Sequence, residues 1–330
     1  MSVLVTGCAG FIGYSLSLFL LKKKYKIFGI DNLNNYYDVN LKKDRLKNLK
    51  DFQTFMFSKI DITNYNKLNN YIKKNKIKII VHLAAQAGVR HSINNPDSYF
   101  DNNIFGFYNI LQASKKNKIK HLIYASSSSV YGKSSKFPTS EIDNTDNPLS
   151  FYAASKKCNE VMAYSFSNIY NLPCTGLRFF TVYGPYGRPD MALFKFVSSI
   201  VNKKKLKIFN YGKHSRDFTY VEDIVKKIFI LLEKPSKNKV PHEIFNLGNS
   251  QPISLKKYLI LIEKKLKNKA KKQYLGLQKG DVKKTFSNSD KFNKKFKVNF
   301  RTDISKGIHL FIDWYMKYNK NRNKNKNNHL

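Results

Sequence analysis

The sequence has few cysteines, few acidic residues and no long apolar run, and each shortage excludes a class of protein. Its three cysteines, Cys8, Cys158 and Cys174, are odd in number and far apart. They fit neither a disulfide framework nor a metal-ligand spacing, so we expect a reducing, cytoplasmic environment and no bound metal. Because no run of about 18 apolar residues occurs and the first residues lack a leader pattern, we expect no membrane span and no secretory leader.

The shortage of acidic residues leaves a large positive charge. The chain has 22 Asp and Glu against 60 Lys and Arg, a formal net charge of +38. This charge suggests nucleic-acid binding, but the excess is mostly lysine and is spread from Lys22 to Lys326. Nucleic-acid-binding proteins more often cluster their charge and use arginine forks. We therefore expect a solvated lysine surface and no specific nucleic-acid partner.

Arginine is also scarce, with seven residues in the chain. In a sequence that uses lysine nearly everywhere else, a retained arginine indicates a need for planar, two-point hydrogen bonding. Four of the seven fall inside the motifs described below: Arg90, Arg178, Arg188 and Arg216.

Hydrophobic residues make up 42% of the sequence. Along the chain, short continuous apolar runs alternate with segments in which apolar residues recur at helical spacing. Helical patterns, among them 104–116 and 152–170, separate most of the apolar runs. This order predicts an α/β fold, a Rossmann-type doubly wound parallel sheet whose ligands bind at the carboxyl ends of the strands. The predicted strands are 3–6, 26–31, 52–61, 77–85, 120–127 and 173–180.

Three glycines, Gly7, Gly10 and Gly13, follow the first predicted strand and open the first predicted helix. Their spacing differs from the usual G-x-G-x-x-G, but it meets the same needs: a tight turn, close approach of backbone N–H groups to a pyrophosphate, and close helix packing. Asp31 ends the second strand, where a carboxylate accepts hydrogen bonds from ribose hydroxyls and repels a 2′-phosphate. These features predict NAD, rather than NADP, as the cofactor.

Tyr152 and Lys156 are four residues apart and share one face of a predicted helix. A neighbouring ammonium and the positive nicotinamide ring lower the pKa of a tyrosine, which makes the phenol a usable base. Such a pair is common by chance, but the serine run 126–129 ends the fifth predicted strand, at the sheet edge that this helix would face. We predict that the pair and these hydroxyls form a catalytic site.

Together the glycine loop, Asp31-Asn32, the serine run with the Val-Tyr-Gly after it, and the Tyr-x-x-x-Lys pair resemble the extended short-chain dehydrogenases/reductases. These are the NAD-dependent epimerase/dehydratase family, and this branch acts on nucleotide sugars. The resemblance spans residues 2–316. Within the family, the similarity to UDP-glucuronate 4-epimerases is carried by stretches 31–38, 82–90, 177–192 and 210–218.

The resemblance implies a role for individual residues. Tyr152 would be the acid–base residue, Lys156 its partner and Ser127 a hydroxyl shared with the sugar oxygen. The NAD site would comprise Gly7, Gly10, Phe11, Ile12, Gly13, Asp31, Asn32, Asp61, Ile62, Leu83, Ala85, Asn103, Tyr152, Lys156 and Phe179. The UDP-sugar substrate would be bound by Ser127 and Ser128, with Arg90, Thr181 and Arg188 near the sugar and its carboxylate, and Arg216 and Asp281 at the UDP.

The implied reaction interconverts UDP-glucuronate and UDP-galacturonate by transient oxidation at sugar carbon 4, rotation of the 4-keto intermediate and hydride return from NADH. Related decarboxylases carry a glutamate before the Val-Tyr-Gly, and related 4,6-dehydratases an Asp-Glu pair, where this chain has Ser128-Ser129. Both activities are therefore disfavoured. The alternative is a 4-epimerase of a neutral or N-acetylated UDP-sugar. A non-catalytic NAD-binding or RNA-binding protein is a further alternative, but it would not need Ser127, Tyr152 and Lys156 together.

The same resemblance implies a homodimer formed through 104–116 and 152–170, and a product used for surface polysaccharide. The alternation weakens after residue 181, so we expect an NAD-binding Rossmann domain over 1–181, to which 216–247 returns. A smaller α+β part that binds the UDP-sugar would comprise 182–215 and 248–318. The tail 319–330 is nearly all asparagine and lysine, and we predict it to be disordered because it has little to bury.

Overall fold

The computed structural model describes residues 2–134 and 136–327, with side chains described as far as residue 321. Its strands are β1 (Ser2–Thr6), β2 (Lys26–Asp31), β3 (Phe55–Lys59), β4 (Ile79–His82), β5 (His121–Ser127), β6 (Cys174–Phe179), β7 (Thr181–Tyr183), β8 (Lys205–Ile208), β9 (Ser215–Tyr220), β10 (His242–Leu247), β11 (Pro252–Ser254) and β12 (Lys271–Tyr274).

The helices are α1 (Phe11–Lys22), α2 (Val39–Lys50), α3 (Tyr65–Lys74), α4 (His91–Asn94), α5 (Pro96–Tyr99), α6 (Gly106–Lys116), α7 (Phe151–Tyr170), α8 (Ala192–Val201), α9 (Val221–Leu231), α10 (Leu255–Leu266), α11 (Asp290–Phe296) and α12 (Ile304–Asn327). A π-helical turn, Phe100–Phe105, leads into α6, and the short 3-10 turns are Ser128–Tyr131 and Phe209–Gly212.

One parallel sheet of seven strands, in the order β10-β6-β5-β4-β1-β2-β3, forms the main part of the molecule. Both faces are covered, and successive residues of β1 alternate between them: Val3 and Val5 pack in the cluster that contains α1 and α9, and Leu4 in the cluster that contains α3 and α6. The predicted Rossmann-type sheet is confirmed. The strand order reverses between β1 and β4, because β2 and β3 follow on one side of β1 and β4, β5 and β6 on the other. Ligands of such sheets bind at this switch point.

The smaller part contains a three-stranded sheet, β11-β9-β7, and a two-stranded sheet, β12-β8. Helices α8, α10 and α12 pack there around a third hydrophobic cluster, in which the Phe218 and Tyr258 rings stack 4.0 Å apart. The stretch 216–247 divides between the two parts, because β9 belongs to the small sheet, whereas α9 packs on α1 and β10 is the edge strand of the main sheet.

The structure differs from the sequence prediction at the C-terminal end of the chain. Helix α12 continues to Asn327, so residues 319–327 are helical rather than disordered. The first turns of this helix are anchored by buried Ile308, Phe311 and Tyr315. Once a helix is nucleated, each added residue gains a hydrogen bond, and lysine is a good helix former. The last part of the predicted tail, 328–330, lies outside the described residues.

A buried ion pair joins α7 to the main sheet. Glu160 of α7 accepts from Nε and Nη2 of Arg178 of β6 at 2.8 Å each, and both side chains are 4% exposed. Ser126 of β5 donates to the same carboxylate at 2.6 Å. Arg178 therefore makes the two-point contact that the scarcity of arginine indicated, and the pair fixes α7 against β5 and β6.

We expect Glu160→Gln to lower the free energy of unfolding by about 3–5 kcal/mol, because the amide leaves the buried Arg178 guanidinium without a compensating charge. Chemical denaturation measures the difference. The control is Glu222→Gln, which breaks the exposed pair of Glu222 with Lys226 on α9 and should cost less than about 1 kcal/mol. Similar small losses in both variants would contradict a structural role for the buried pair.

Candidate active site

A cavity of about 400 Å³ opens at the carboxyl ends of the central strands. It brings together most of the residues predicted from the sequence, from both the cofactor set and the substrate set. Its lining includes Gly7, Gly10, Phe11, Ile12, Gly13, Asp31, Asn32, Ile62, Leu83, Ala85, Ser127, Ser128, Tyr152, Lys156, Phe179, Thr181 and Arg188.

The glycine loop leaves no room for side chains at two of its positions. Gly7 has a φ of +69°, and a Cβ atom there would lie 2.8 Å from the backbone nitrogen of Ala84. A Cβ at Gly13 would lie 2.1 Å from the carbonyl oxygen of Gly7. Helix α1 therefore begins directly against the end of β1, with no side-chain cap and no acidic residue in its first turn. Its backbone N–H groups suit the pyrophosphate of a dinucleotide.

Asp31 is held rigidly at the cavity edge. Its carboxylate accepts hydrogen bonds from the backbone N–H of Ala9 at 3.1 Å and of Leu33 at 2.8 Å. Each oxygen keeps accepting capacity for a ribose hydroxyl. Asp61 does not line the cavity; it accepts a hydrogen bond from Asn32 at 2.9 Å and so acts on the site through that residue.

Asn103, predicted to belong to the NAD site, is not among the residues that line the cavity. Its side chain lies behind the cavity, 1% exposed, where it accepts from the Gln86 N–H at 2.8 Å and donates to the Gln86 carbonyl and to Ser155, each at 3.0 Å. Those bonds use its polar atoms to hold the loop after β4 against α7. Asn102, the residue before it, lines the cavity instead.

Two basic residues of α2 take part in the site and were missed by sequence reasoning. Lys42 lines the cavity beside Asp31 and donates to the backbone oxygen of Asn34 at 2.8 Å. Arg45 is fully buried and donates to the carbonyl oxygens of Ala9 at 2.8 Å and Tyr186 at 2.6 Å, which braces the glycine loop. Lys42 resembles the many surface lysines, but the scarcity of arginine was a signal that pointed to Arg45.

Helix α7 carries the predicted catalytic pair into the cavity. Ser150 caps the helix by accepting from the Ala153 N–H at 3.2 Å. Lys156 is buried and donates to the carbonyl oxygen of Ala125 at 3.0 Å, and burial lowers its pKa to about 8. The ammonium is thus fixed against the end of β5, one helical turn after Tyr152.

The lowering of the Tyr152 pKa by Lys156 and a nicotinamide ring stays a prediction. Burial raises the pKa of Tyr152 above its ordinary value, while a hydrogen bond with Ser127 and the positive charge of Arg188 act in the opposite direction. Ser127 and Arg188 are therefore the two groups in the cavity that favour the ionised form of the phenol.

Arg188 makes the predicted two-point contact, but with a carboxylate of its own chain. Its Nε and Nη2 donate to Asp190 at 2.9 and 2.6 Å. Tyr36, which also lines the cavity, donates to Asp190 at 3.4 Å. A substrate carboxylate would thus meet a guanidinium that is already paired on one edge.

A second polar group, outside the cavity lining, contains the other predicted substrate residues. Arg216 donates to Asp281 at 2.8 Å, and Arg90 lies 3.8 Å from the same carboxylate. His214 Nε2 is 3.5 Å from it. The structure therefore places Arg90 with Arg216 and Asp281 rather than with Arg188.

These features define an NAD-dependent enzyme of the Rossmann class. Residues 3–248 match the model of the NAD dependent epimerase/dehydratase family, and the chain belongs to that family, as the sequence predicted. Within residues 2–134 and 136–327, no helix is long and apolar enough to cross a membrane.

The chain is similar to two named sequence relatives and to one solved structure. The chain is 48% identical to Protein CapI of Staphylococcus aureus over 97% of this chain and 100% of the relative. It is 42% identical to the UDP-glucuronate 4-epimerase of Thermodesulfobacterium geofontis over 94% of this chain and 95% of that protein. Its fold is similar to the crystal structure of UDP-glucuronic acid 4-epimerase from Bacillus cereus in complex with UDP-glucuronic acid and NAD, with a TM-score of 0.90, 33% identity, and coverage of 96% of this chain and 100% of that chain.

We expect Tyr152→Phe to reduce turnover of a nucleotide sugar by at least about 10²–10⁴-fold, the usual contribution of a positioned acid–base group, and to leave UDP affinity nearly unchanged. Steady-state rates and a UDP titration measure the two quantities. Tyr170→Phe is the control, because it removes the same hydroxyl from the exposed end of the same helix. Wild-type turnover in the Tyr152 variant would show that another group is the base.

Proposed function

We propose that this chain is a UDP-glucuronate 4-epimerase, which interconverts UDP-glucuronate and UDP-galacturonate with bound NAD. The observation that carries the proposal is the position of Arg188, a fixed cation in the same cavity as Tyr152, Ser127 and Lys156. A neutral sugar has no use for such a cation beside the proton-transfer group, whereas a uronate carries a charge that must be matched once it leaves water. The names of the relatives support the same choice.

The residues of the cavity fit NAD. The backbone N–H groups of the glycine loop would bind the pyrophosphate, and Asp31 the adenosine ribose, where its charge disfavours a 2′-phosphate. When bound there, NAD would take up the hydride of sugar carbon 4 and give it back to the opposite face.

The chain's own residues would handle the proton. Tyr152 accepts the proton of the 4-hydroxyl as carbon 4 is oxidised, and it returns that proton when the carbon is reduced. Ser127 shares its hydroxyl between the phenol and the sugar oxygen. Lys156, held by the Ala125 carbonyl, keeps a positive charge close to the site below its pKa of about 8.

The substrate must stay bound while its sugar end turns. The group of Arg216, Asp281 and Arg90 would anchor the UDP, since guanidinium groups suit phosphates and a carboxylate suits ribose hydroxyls. The 4-keto uronate is a β-keto acid that loses CO₂ readily, so its carboxylate must be held firmly. Arg188, with the hydroxyls of Ser128 and Thr181, would do so.

A panel of UDP-sugars tests the proposal. We expect purified protein to convert UDP-glucuronate to UDP-galacturonate, with no UDP-pentose formed by loss of CO₂, and to act far more slowly on UDP-glucose and UDP-N-acetylglucosamine. Separation of products by chromatography with mass detection gives the answer, with the Tyr152→Phe protein as the matched blank. Faster turnover of a neutral sugar would support the alternative, a general UDP-sugar 4-epimerase.

The active unit in this proposal is a homodimer formed through α6, α7 and the π-helical turn before α6. Large apolar side chains are exposed on these elements: Phe100 53%, Phe105 45%, Tyr108 41%, Val161 57% and Tyr164 53%. An exposed apolar patch of this kind is typical of a protein interface. A second copy of the chain is the natural occupant, because two helices from each copy would bury both patches by symmetry.

The dimer is tested by light scattering on the eluted protein. We expect the wild type at twice the chain mass of 38.4 kDa and the Phe105→Asp, Val161→Asp double variant at the chain mass, because buried unpaired carboxylates oppose association. Ile260→Asp is the control, since Ile260 is 49% exposed on α10, away from the patch, and it should leave the dimer intact. A monomeric wild type would reject the proposal.

The domain roles that we propose follow the sheets. Residues 1–181 with 221–247 would form the NAD-binding domain, and 182–220 with 248–318 the UDP-sugar-binding part, because β9 belongs to the small sheet. The three free thiols, two of them buried, fit a cytoplasmic enzyme. Its product would supply galacturonate for a polysaccharide.

A further inference from the structure

Asp190 lies where two loops meet above the cavity. It shares the segment between β7 and α8 with Arg188, and Tyr36 reaches it from the loop after β2. Its Oδ1 accepts from Arg188 Nε at 2.9 Å, and its Oδ2 accepts from Arg188 Nη2 at 2.6 Å and from the Tyr36 hydroxyl at 3.4 Å. The carboxylate is thus held from both loops.

The contact uses one edge of the guanidinium group. Arginine offers five N–H donors in one plane, and the two-point contact with Asp190 uses the edge formed by Nε and Nη2. Among the described residues, Nη1 of Arg188 has no hydrogen-bond partner, although the side chain lines the cavity. One edge is therefore fixed to the protein, and another is available to a ligand.

Asp190 is charged when it makes this contact. Burial raises the pKa of Asp190, but the Arg188 guanidinium outweighs burial, and the net pKa lies below the usual range. Lys195 of α8 adds a further positive charge near the carboxylate. The orientation of Arg188 also matters to the catalytic base, because its charge acts on Tyr152.

We propose that Asp190 is a positioning residue that fixes the plane of Arg188, so that the Nη1 end of the guanidinium faces an acidic sugar. This inference rests on the proposed function and adds the basis of its selectivity. Without Asp190, the long arginine side chain would have to be ordered by the substrate itself, and part of the binding free energy would be lost to that ordering.

Two other roles for Asp190 are conceivable and differ in their consequences. As a placeholder, it would occupy Arg188 until a substrate carboxylate displaced it, so its removal would strengthen the binding of acidic sugars. As a loop brace, it would matter equally to acidic and neutral ligands. A positioning residue weakens the binding of acidic ligands alone when it is removed.

The test measures dissociation constants of UDP-glucuronate and UDP-glucose by calorimetry, in a Tyr152→Phe background that prevents turnover. We expect Asp190→Asn to weaken UDP-glucuronate about tenfold, as for a lost hydrogen bond to a charged group, and UDP-glucose by less than about twofold. Asp190→Glu, which keeps a carboxylate for the two-point contact, should restore most of the affinity. Tighter binding of UDP-glucuronate, equal losses for both ligands, or no change would each overturn the proposal.

A double-mutant cycle tests whether Asp190 acts through Arg188. In an Arg188→Ala background, Asp190→Asn should cause no further loss of preference for the acidic ligand. A loss that persists there would overturn the proposal, even if Asp190→Asn alone behaved as expected. The proposed function is judged separately, from the products of the wild-type enzyme, so its failure and the failure of this inference are distinguishable.

Discussion

The guanidinium group of Arg178 and the carboxylate of Glu160 meet between α7 and the sheet, and the geometry of the active site depends on this contact. Tyr152, Lys156 and Glu160 follow one another at intervals of four residues, so they share one face of α7. The Glu160 carboxylate also accepts from Ser126, the neighbour of Ser127. The pair thereby helps to set the distance between the Tyr152 phenol on the helix and the Ser127 hydroxyl on the strand.

The same contact extends toward the smaller part of the molecule. Arg178 Nη1 donates to the Tyr131 hydroxyl at 2.9 Å, and that hydroxyl donates to Asn246 of β10 at 2.6 Å. Asn246 in turn donates to the carbonyl oxygens of Thr139 and Asn288, each at 3.0 Å. One chain of buried polar groups therefore links α7, the edge strand β10 and the segment before α11. Such chains fix geometry because a broken member leaves others unsatisfied.

The parts of the fold and site that the sequence predicts are those with a local physical signature. Glycines at 7, 10 and 13 reflect the space that the backbone needs, and a tyrosine and a lysine four apart reflect the helical period. Strand β10 was not identified as a strand, because its pattern, His-Glu-Ile-Phe-Asn-Leu, mixes polar and apolar residues without clear alternation.

Features that arise between distant segments escaped prediction. Tyr36 and Asp190 are separated by 154 positions, and neither reveals its partner in a single sequence. The hydrogen bonds of Asn103 with Gln86 and Ser155 are also contacts that a single sequence does not indicate. The burial that raises the pKa of Tyr152, and the nearby charge of Arg188 that lowers it, are likewise tertiary properties.

The close approach of Gly13 to the Gly7 carbonyl has a consequence for which substitutions this chain can accept. The groups that face the pyrophosphate subsite there belong to the main chain, and the main chain is the same whichever codons a genome favours. Surface residues can therefore be replaced by lysine or asparagine without altering that subsite. Where the shape of a side chain is itself required, as with the planar guanidinium groups of Arg178 and Arg188, replacement by lysine would lose the two-point contact.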